Sequence, residues 1–441
     1  MGLLGFTRQR VGKRMRGVAA CMALAGLVAC ASPQTVPAPP PPPQPPPQAE
    51  VLPQVVAPPP RVVPNDGKTR IALLLPLTGR GANIGKSMLD AAQLAVFELA
   101  GDEFLLLPRD TRGTPEGAAA AAQAAMDEGA KLVLGPLFSN DATAIRPIAA
   151  TANVPVLSFS SDWAIAGGGL WTLGFQPQDQ VRRVVNHALA QGITRFGVLA
   201  PNTAYGQAVV DSLAQAAQAG GGQVTKVERY AANPSNPTDL VKRFAEFDRR
   251  RAALEAERAR LRQAGDEPGL RRLANASTFG ELPYQAVLLA EGGAKLKELA
   301  SLLPFFDVDP GPVRVLGTGL WDEPGLGREP ALLGGWYAAP APESRQPFEA
   351  RFQELYGYRP HRLATLAYDA TALAAVLSKG GGREPFTPGA LTNPNGFAGI
   401  DGIFRLLPNG LPERGLPVLE VTRAGVNVVD PAPASFEPRA F

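Results

Sequence analysis

The chain has 441 residues, enough for two domains of ordinary size with additions. Charged residues make up 19% with a net charge of +3, so bulk charge gives no signal for nucleic acid or for an acidic partner. Two cysteines and two histidines exclude a disulfide framework and leave little for metal or nucleophile chemistry.

The first thirty residues read as an export signal. Arg8, Arg10, Lys13, Arg14 and Arg16 form a basic region, and Gly17 to Ala29 is an apolar run too short for a permanent transmembrane helix. The run ends in Leu27-Val28-Ala29-Cys30, the pattern of a bacterial lipobox, in which the Cys thiol receives a diacylglyceryl group. Residues 1–29 are therefore expected to be a lipoprotein signal peptide, and Cys30 the acylated first residue of the mature chain. The alternative is an ordinary signal with Cys30 incidental. Cys21 lies in the discarded part, so the folded part carries no cysteine. Acyl chains on Cys30 would hold the protein on a membrane. Ala31, in place of an Asp after the lipidated Cys, favours the outer membrane over the inner.

Residues 30–67 are rich in Pro, Gln, Ala and Val, with near-continuous runs at Pro39–Pro43 and Pro45–Pro47. Such a segment buries no core and favours polyproline II. At roughly 3.1 Å per residue it reaches on the order of 100 Å, a spacer or an inert linker.

A glycine-rich turn, Pro76 to Ser87, follows the apolar run Ile71–Leu75 and opens a helical pattern. The position suits a phosphate loop, but the spacing does not: the residue five before Gly85 is Arg80, with Gly79 and Gly81 each one place off. A strand-to-helix turn in an open α/β sheet is the better reading.

Strand-length apolar runs then alternate with helical patterns. The strands are expected at 71–75, 104–107, 131–134, 154–157, 196–200, 223–228, 286–290 and 313–316, and the helices at 85–100, 115–128, 141–152, 177–191, 204–219 and 294–302. This order implies parallel sheets with helices on both faces, divided into two doubly wound lobes with a cleft between them. The folded domain is expected over 68–430, with lobe 1 at about 68–175 plus 323–400, lobe 2 at about 176–322 plus 401–430, and a tail at 431–441. Leu170–Phe175 reads as a strand crossing between lobes. Gly402–Leu406 and Val418–Thr422 read as a hairpin-like return. Residues 239–273 stand apart as one charged helical insertion, with Arg249, Arg250, Arg251, Glu255, Glu257, Arg258, Arg260 and Arg262 around a sparse apolar stripe. It is either a solvated insertion packing one thin face on the body or a docking arm for a partner. Acids interleave the arginines, which argues against nucleic acid.

Nothing points to catalysis. His187 and His361 have no metal-ligand spacing to another His or Cys, and neither a GxSxG elbow nor an HExxH occurs. No catalytic residue, metal or cofactor is expected.

From about Lys68 to Thr422 the chain resembles the type I periplasmic-binding-protein family of leucine/isoleucine/valine-binding proteins. The resemblance is carried by Pro76-Leu77-Thr78-Gly79 after the first strand, Asp110 after the second, and Gly135-Pro136-Leu137-Phe138-Ser139 after the third. Val154 to Ser161 at the fourth strand, Ala204-Tyr205-Gly206 and Gly292-Gly293 add to it. It implies a small amino-acid-like ligand between the lobes, with its carboxylate held by Ser139, Ser160 and Ser161 and a contact from Tyr205. Thr78, Gly79 and Ser158 complete the cleft residues expected in the first lobe. The chain departs from the family at Ile84, where an aromatic is common, and at Asp162, where a Thr is common and a like charge would repel a carboxylate. Gly319 to Trp321 carries no acid for an α-ammonium; Glu291 or Asp322 would have to substitute, beside Trp321.

The combination of lipobox, proline tether and altered cleft is most similar to the outer-membrane lipoprotein activators of penicillin-binding proteins. That resemblance implies a periplasm-facing regulator of peptidoglycan synthesis whose partner is a penicillin-binding synthase. The alternative is the substrate-binding lipoprotein of a branched-chain amino-acid importer.

Overall fold

The computed structural model describes residues 66–231, 236–380 and 384–436. The expected signal peptide, Cys30 and nearly all of the proline-rich segment lie outside the described residues.

The first lobe is a five-stranded parallel sheet of β1 (Thr69–Leu75), β2 (Phe104–Asp110), β3 (Leu132–Leu134), β4 (Val156–Ser158) and β5 (Leu170–Thr172), in the order β2-β1-β3-β4-β5. β1 is buried along Arg70–Leu75, because helices cover both faces of a parallel sheet and leave no polar side for alternation. Helix α1 (Ala82–Leu99) packs on one face. α2 (Pro115–Asp127) and α3 (Ser139–Thr151) pack on the other through Ala118, Ala122, Ala142 and Ile145. Thr114 starts α2 by accepting the Gly117 N–H at 3.1 Å, with Pro115 at the first helical position.

The second lobe begins with α4 (Pro177–Ala190) and holds β6 (Arg195–Pro201), α5 (Ala204–Ala219), β7 (Gln223–Tyr230), α6 (Pro237–Phe244), α7 (Phe247–Ala264), α8 (Glu267–Arg272), β8 (Ala286–Leu289), α9 (Gly293–Leu302), β9 (Arg314–Gly317) and β10 (Trp336–Ala338). The chain then returns to the first lobe for α10 (Pro342–Tyr356) and α11 (Ala364–Lys379), which pack against α1, and for a small antiparallel sheet of β11 (Phe397–Gly399), β12 (Gly402–Leu406) and β13 (Pro412–Arg414). It crosses back to finish in β14 (Val418–Thr422) and β15 (Gly425–Asp430). The second sheet has the order β15-β14-β10-β9-β8-β6-β7. Three crossovers, near 173–176, 339–341 and 415–417, thus join the lobes.

Several boundaries differ from those the sequence suggests. Residues 323–338, expected in lobe 1, stay in lobe 2, where β10 adds parallel to β9 and antiparallel to β14. The run Trp336-Tyr337-Ala338 is too short to signal a strand by periodicity, and only pairing on both edges makes it one. Residues 401–414, expected in lobe 2, belong to lobe 1, with Phe404 and Leu406 in its core. The expected hairpin of 402–406 with 418–422 is absent, since β12 pairs with β11 and β13 while β14 pairs with β10 and β15 in the other lobe. Leu170–Thr172 is the edge strand of the first sheet and the crossing follows it. Within the expected tail, Phe436 is held against the first lobe, its ring 4.6 Å beneath the Arg405 guanidinium.

The insertion is three helices, α6 to α8, rather than one. Leu240, Val241 and Phe244 of α6 enter the lobe 2 core. Arg250 is buried, with its guanidinium directed at the Phe306 and Gly280 carbonyls, both at 3.4 Å. Arg258 donates to the carbonyls of Leu273 at 2.8 Å and Ala276 at 3.2 Å. Two of its arginines therefore fasten the segment to itself and to the lobe.

Candidate functional site

The loops that follow the carboxyl ends of β3, β4, β6 and β9 come together, the place where open α/β sheets offer loop residues to a ligand. They enclose a cleft of about 940 Å³. Lobe 1 contributes Ile84, Phe138, Ser139, Ser160, Ser161 and Asp162; lobe 2 contributes Gln180, Tyr205, Leu320 and Asp322. Phe175 comes from the first crossover, and Arg362 from the loop before α11.

Of the residues expected from sequence, Ser139, Ser160, Ser161, Asp162, Tyr205 and Asp322 line this cleft, whereas Thr78, Gly79, Ser158, Glu291 and Trp321 do not. Thr78 is engaged elsewhere. Asp110 gathers the first loop by accepting the Leu77, Thr78 and Arg112 N–H groups at 2.9, 3.1 and 2.8 Å and the Thr78 hydroxyl at 2.6 Å. Burial raises the Asp110 carboxyl, but these donors outweigh it and hold the group below its ordinary value. Gly79 has φ +69°, and a Cβ there would sit 2.6 Å from the Arg112 carbonyl, so its role is close passage of two loops.

Ser158 is fully buried; its hydroxyl donates to the Pro136 carbonyl at 2.9 Å and accepts the Ser160 N–H at 3.2 Å. Ser160 in turn accepts the Asp162 N–H at 3.0 Å, and Asp162 Oδ1 accepts the Ala164 N–H at 3.0 Å to open a short 3-10 turn. This relay of turn-forming side chains fixes the loop after β4 and presents Ser161 outward. Ser139 is the first residue of α3, behind an N-cap Phe138 that supplies no side-chain acceptor. Arg80 stacks 4.7 Å over the Phe138 ring.

In lobe 2, the Tyr205 hydroxyl meets Thr318 Oγ1 at 2.7 Å, and burial pushes its ionisation up to about 12, so it serves as a neutral hydrogen-bonding group. Glu291 accepts the Tyr230 hydroxyl at 2.8 Å. Trp321 is core: it is fully buried, and Gly317 lies beneath its ring, where a Cβ would come within 2.1 Å.

Asp322 is the acid that does reach the cleft, and it is already paired. Arg345 Nη1 lies 2.6 Å from Oδ2 and Arg362 Nε lies 2.9 Å from the same atom. Burial raises the Asp322 carboxyl, but hydrogen bonds and charge from the two arginines outweigh it and the net shift is downward. Arg362 also reaches Asp401 at 3.1 Å and Thr365 at 3.2 Å, and its guanidinium lies 4.7 Å from the Phe175 ring, which Arg414 approaches at the same distance.

Sequence reading did not find Gln180, Phe175 or Arg362. Gln180 is buried and accepts the Gly319 N–H at 2.9 Å, tying α4 to the loop after β9. Its spacing within an amphipathic helix is unremarkable, and Arg362 sits in a loop with no motif. Only the fold brings them to the cleft.

Neither histidine lines the cleft. His187 Nδ1 lies 3.1 Å from Asp430, and His361 Nδ1 accepts the Leu363 N–H at 3.2 Å while burial lowers its pKa. Among the described residues there is no group of three His, Cys, Asp or Glu that could hold a metal ion, and no helix is long and apolar enough to cross a membrane.

Residues 68–425 match the family model described as periplasmic binding protein. Among solved structures, the chain is similar to a putative branched-chain amino acid ABC transporter protein from Rhodospirillum rubrum, with TM-score 0.66, 19% identity, and 82% of this chain and 100% of that one covered. A leucine binding protein from Thermotoga maritima gives 0.54 and 20%, with coverage of 82% and 98%. A solute binding protein from R. palustris in complex with benzoate gives 0.56 and 17%, with coverage of 85% and 98%. At these identities the likeness is one of fold. An uncharacterized protein of Rickettsia prowazekii is 24% identical over 164 residues, which is 37% of this chain and 44% of that protein, so the match spans less than half of that relative. A two-lobed α/β body, a cleft at the strand ends and a family match along nearly the whole described domain agree: the chain belongs to the periplasmic binding protein family, in its type I, leucine-binding-protein-like form.

Proposed function

We propose that the protein captures a small solute between its lobes and delivers it to an importer. The observation that carries this is the cleft itself, with an apolar wall and a few convergent polar groups, Ser139, Ser161, Gln180 and Tyr205, the composition of a small-molecule site. The family works outside the cytoplasm and binds solutes without catalysis. Structural neighbours that bind isoleucine and benzoate set the size of ligand to try. Calorimetry with amino acids, amines and carboxylates tests the reading; a set of such solutes that all fail to bind would remove it. Lipidation of Cys30 belongs to the same proposal and is tested by palmitate labelling of the wild-type chain against Cys30→Ala.

A second reading is a regulator of peptidoglycan synthesis that contacts a penicillin-binding protein, using the fold as an interaction module. The ion pairs joining the lobes through Asp322 favour it, because a body with bolted lobes suits a fixed interaction surface. Crosslinked recovery of a synthase and of no permease would select it.

A further inference from the structure

The charged side chains lining the cleft are Asp162, Asp322 and Arg362. Two of the three are spent on one another and on the body. Arg362 gives Nε to Asp322 at 2.9 Å, Nη1 to Thr365 and Asp401 at 3.2 Å, and Nη2 to Asp401 at 3.1 Å. Asp322 receives Arg345 as well. Asp322 and Asp401 are thus paired with Arg345 and Arg362, with Arg414 and Asp369 acting on the Asp401 side and Glu349 adding a looser, half-exposed contact to Arg345 at 3.6 Å. A bidentate or multiply bonded guanidinium of this kind is not free to receive a ligand carboxylate.

Asp162 is different. Its Oδ1 accepts the Ala164 N–H at 3.0 Å, and no Lys, Arg or His lies within ion-pair distance of it among the described residues. It is the uncompensated charge of the cleft, and it is negative. The start of α3 would by itself favour an anion; Asp141 stands in that first turn, 1% exposed, and is itself opposed by Arg80, whose guanidinium lies over the Phe138 ring rather than in the cleft lining. Around Asp162 the wall combines the Ser139, Ser160 and Ser161 hydroxyls with the apolar Phe138, Phe159, Trp163 and Leu320. A carboxylate entering here would meet a like charge, whereas a cation would gain a partner.

We infer that the cleft takes an organic cation, an ammonium carried on an apolar body, with Asp162 as its counter-ion, and that the ligand needs no carboxylate. This rests on the solute-capture reading and names the ligand class for it. Asp162 then decides specificity, while Asp322, the acid nearest to where an amino-acid site would place one in lobe 2, serves the lobes instead.

Matched probes separate charge from shape: phenethylamine, 3-phenylpropanoate and phenylalanine, and likewise 3-methylbutylamine, 4-methylpentanoate and leucine, titrated calorimetrically into the wild-type chain. The amine is expected to bind at least tenfold more tightly than the carboxylate of the same body. Asp162→Asn, which keeps the Oδ1 acceptor for Ala164 and hence the turn, is expected to remove that preference with an unchanged unfolding midpoint, and Asp162→Glu to restore part of it. Carboxylates that bind as well as the amines, or a preference that survives Asp162→Asn, would overturn the inference and leave solute capture standing. Absence of binding by every probe would overturn both.

Discussion

Asp322 and Arg345 meet at 2.6 Å across the two lobes. Asp322 follows Trp321, a core residue of the second lobe, while Arg345 belongs to α10, whose Phe348 and Phe352 pack on α1 in the first. Arg362, anchored by Asp401 on the first-lobe side, joins the same carboxylate at 2.9 Å. The pairing is nearly dry, with side-chain exposures of 11% for Asp322 and 10% for Arg345. Removing one partner of a buried pair leaves the other charge stranded, at a cost of about 3–5 kcal/mol. Asp322→Ala is therefore expected to lower the unfolding midpoint and to raise the radius of gyration in small-angle scattering as the lobes separate. The double replacement Asp322→Leu with Arg345→Met should recover part of the stability, since it strands no charge between that pair. An unchanged scattering profile for Asp322→Ala would show that the crossovers alone hold the lobes.

Two carboxyl groups give stability opposite signs with pH. Asp322 is held below its ordinary value in the folded state, so its contribution is present above the unfolded pKa and disappears as pH falls through the folded one. Asp369 is the reverse: burial first, then the neighbouring Asp401 carboxylate, push it up to about 7. Its contribution is present below the unfolded pKa of roughly 3.9 and is lost as pH rises through about 7. Asp369 Oδ1 accepts the Ile400 N–H at 2.8 Å, a bond that Asn preserves. Asp369→Asn should thus stabilise the protein above pH 7 and change little near pH 4. Thermal midpoints of both proteins between pH 4 and 9 decide it; parallel curves would contradict the assignment.

The serines after β3 and β4 divide into support and contact. Ser158→Ala removes a buried hydroxyl that bridges Pro136 and Ser160, which costs about 1–3 kcal/mol and loosens the loop carrying Asp162. Ser139→Ala and Ser161→Ala touch cleft hydroxyls outside that relay, so their unfolding free energies should stay within about 0.5 kcal/mol of wild type while ligand affinity falls. Chemical denaturation paired with calorimetry separates the two classes. Equal stability losses at Ser139 and Ser158 would erase the distinction.

Arg258 sends donors to the Leu273 and Ala276 carbonyls at the end of α8. Arg258→Ala should increase amide hydrogen exchange over about residues 247–276 and leave the β-sheets protected, since the lost bonds are local to the insertion. Faster exchange throughout β6 and β8 would mean instead that the insertion braces the whole lobe.

Much of this protein is legible in the order of its residues. Continuous apolar runs such as Ile71–Leu75 and Ala286–Leu289, separated by alanine-rich helices with Thr114 and Thr203 at their starts, determine a parallel α/β body, because periodicity and capping are local. The lobes and the position of Ser139, Ser161, Asp162 and Tyr205 at strand ends follow from the same pattern. What tertiary structure decided is which lobe each late segment joins and which cleft charges are free. β10 is three residues whose identity as a strand comes from partners on either side, and β12 and β14 part company because their packing faces belong to different cores. Asp322 reads in sequence as an available acid, yet Arg345 and Arg362, 23 and 40 positions away, occupy it. Asp162 reads as an obstacle to a carboxylate, and among the described residues no cation lies within ion-pair distance of it, which the sequence alone does not tell. Pairing between distant side chains is set by three-dimensional proximity, and a linear sequence carries no local signal for it.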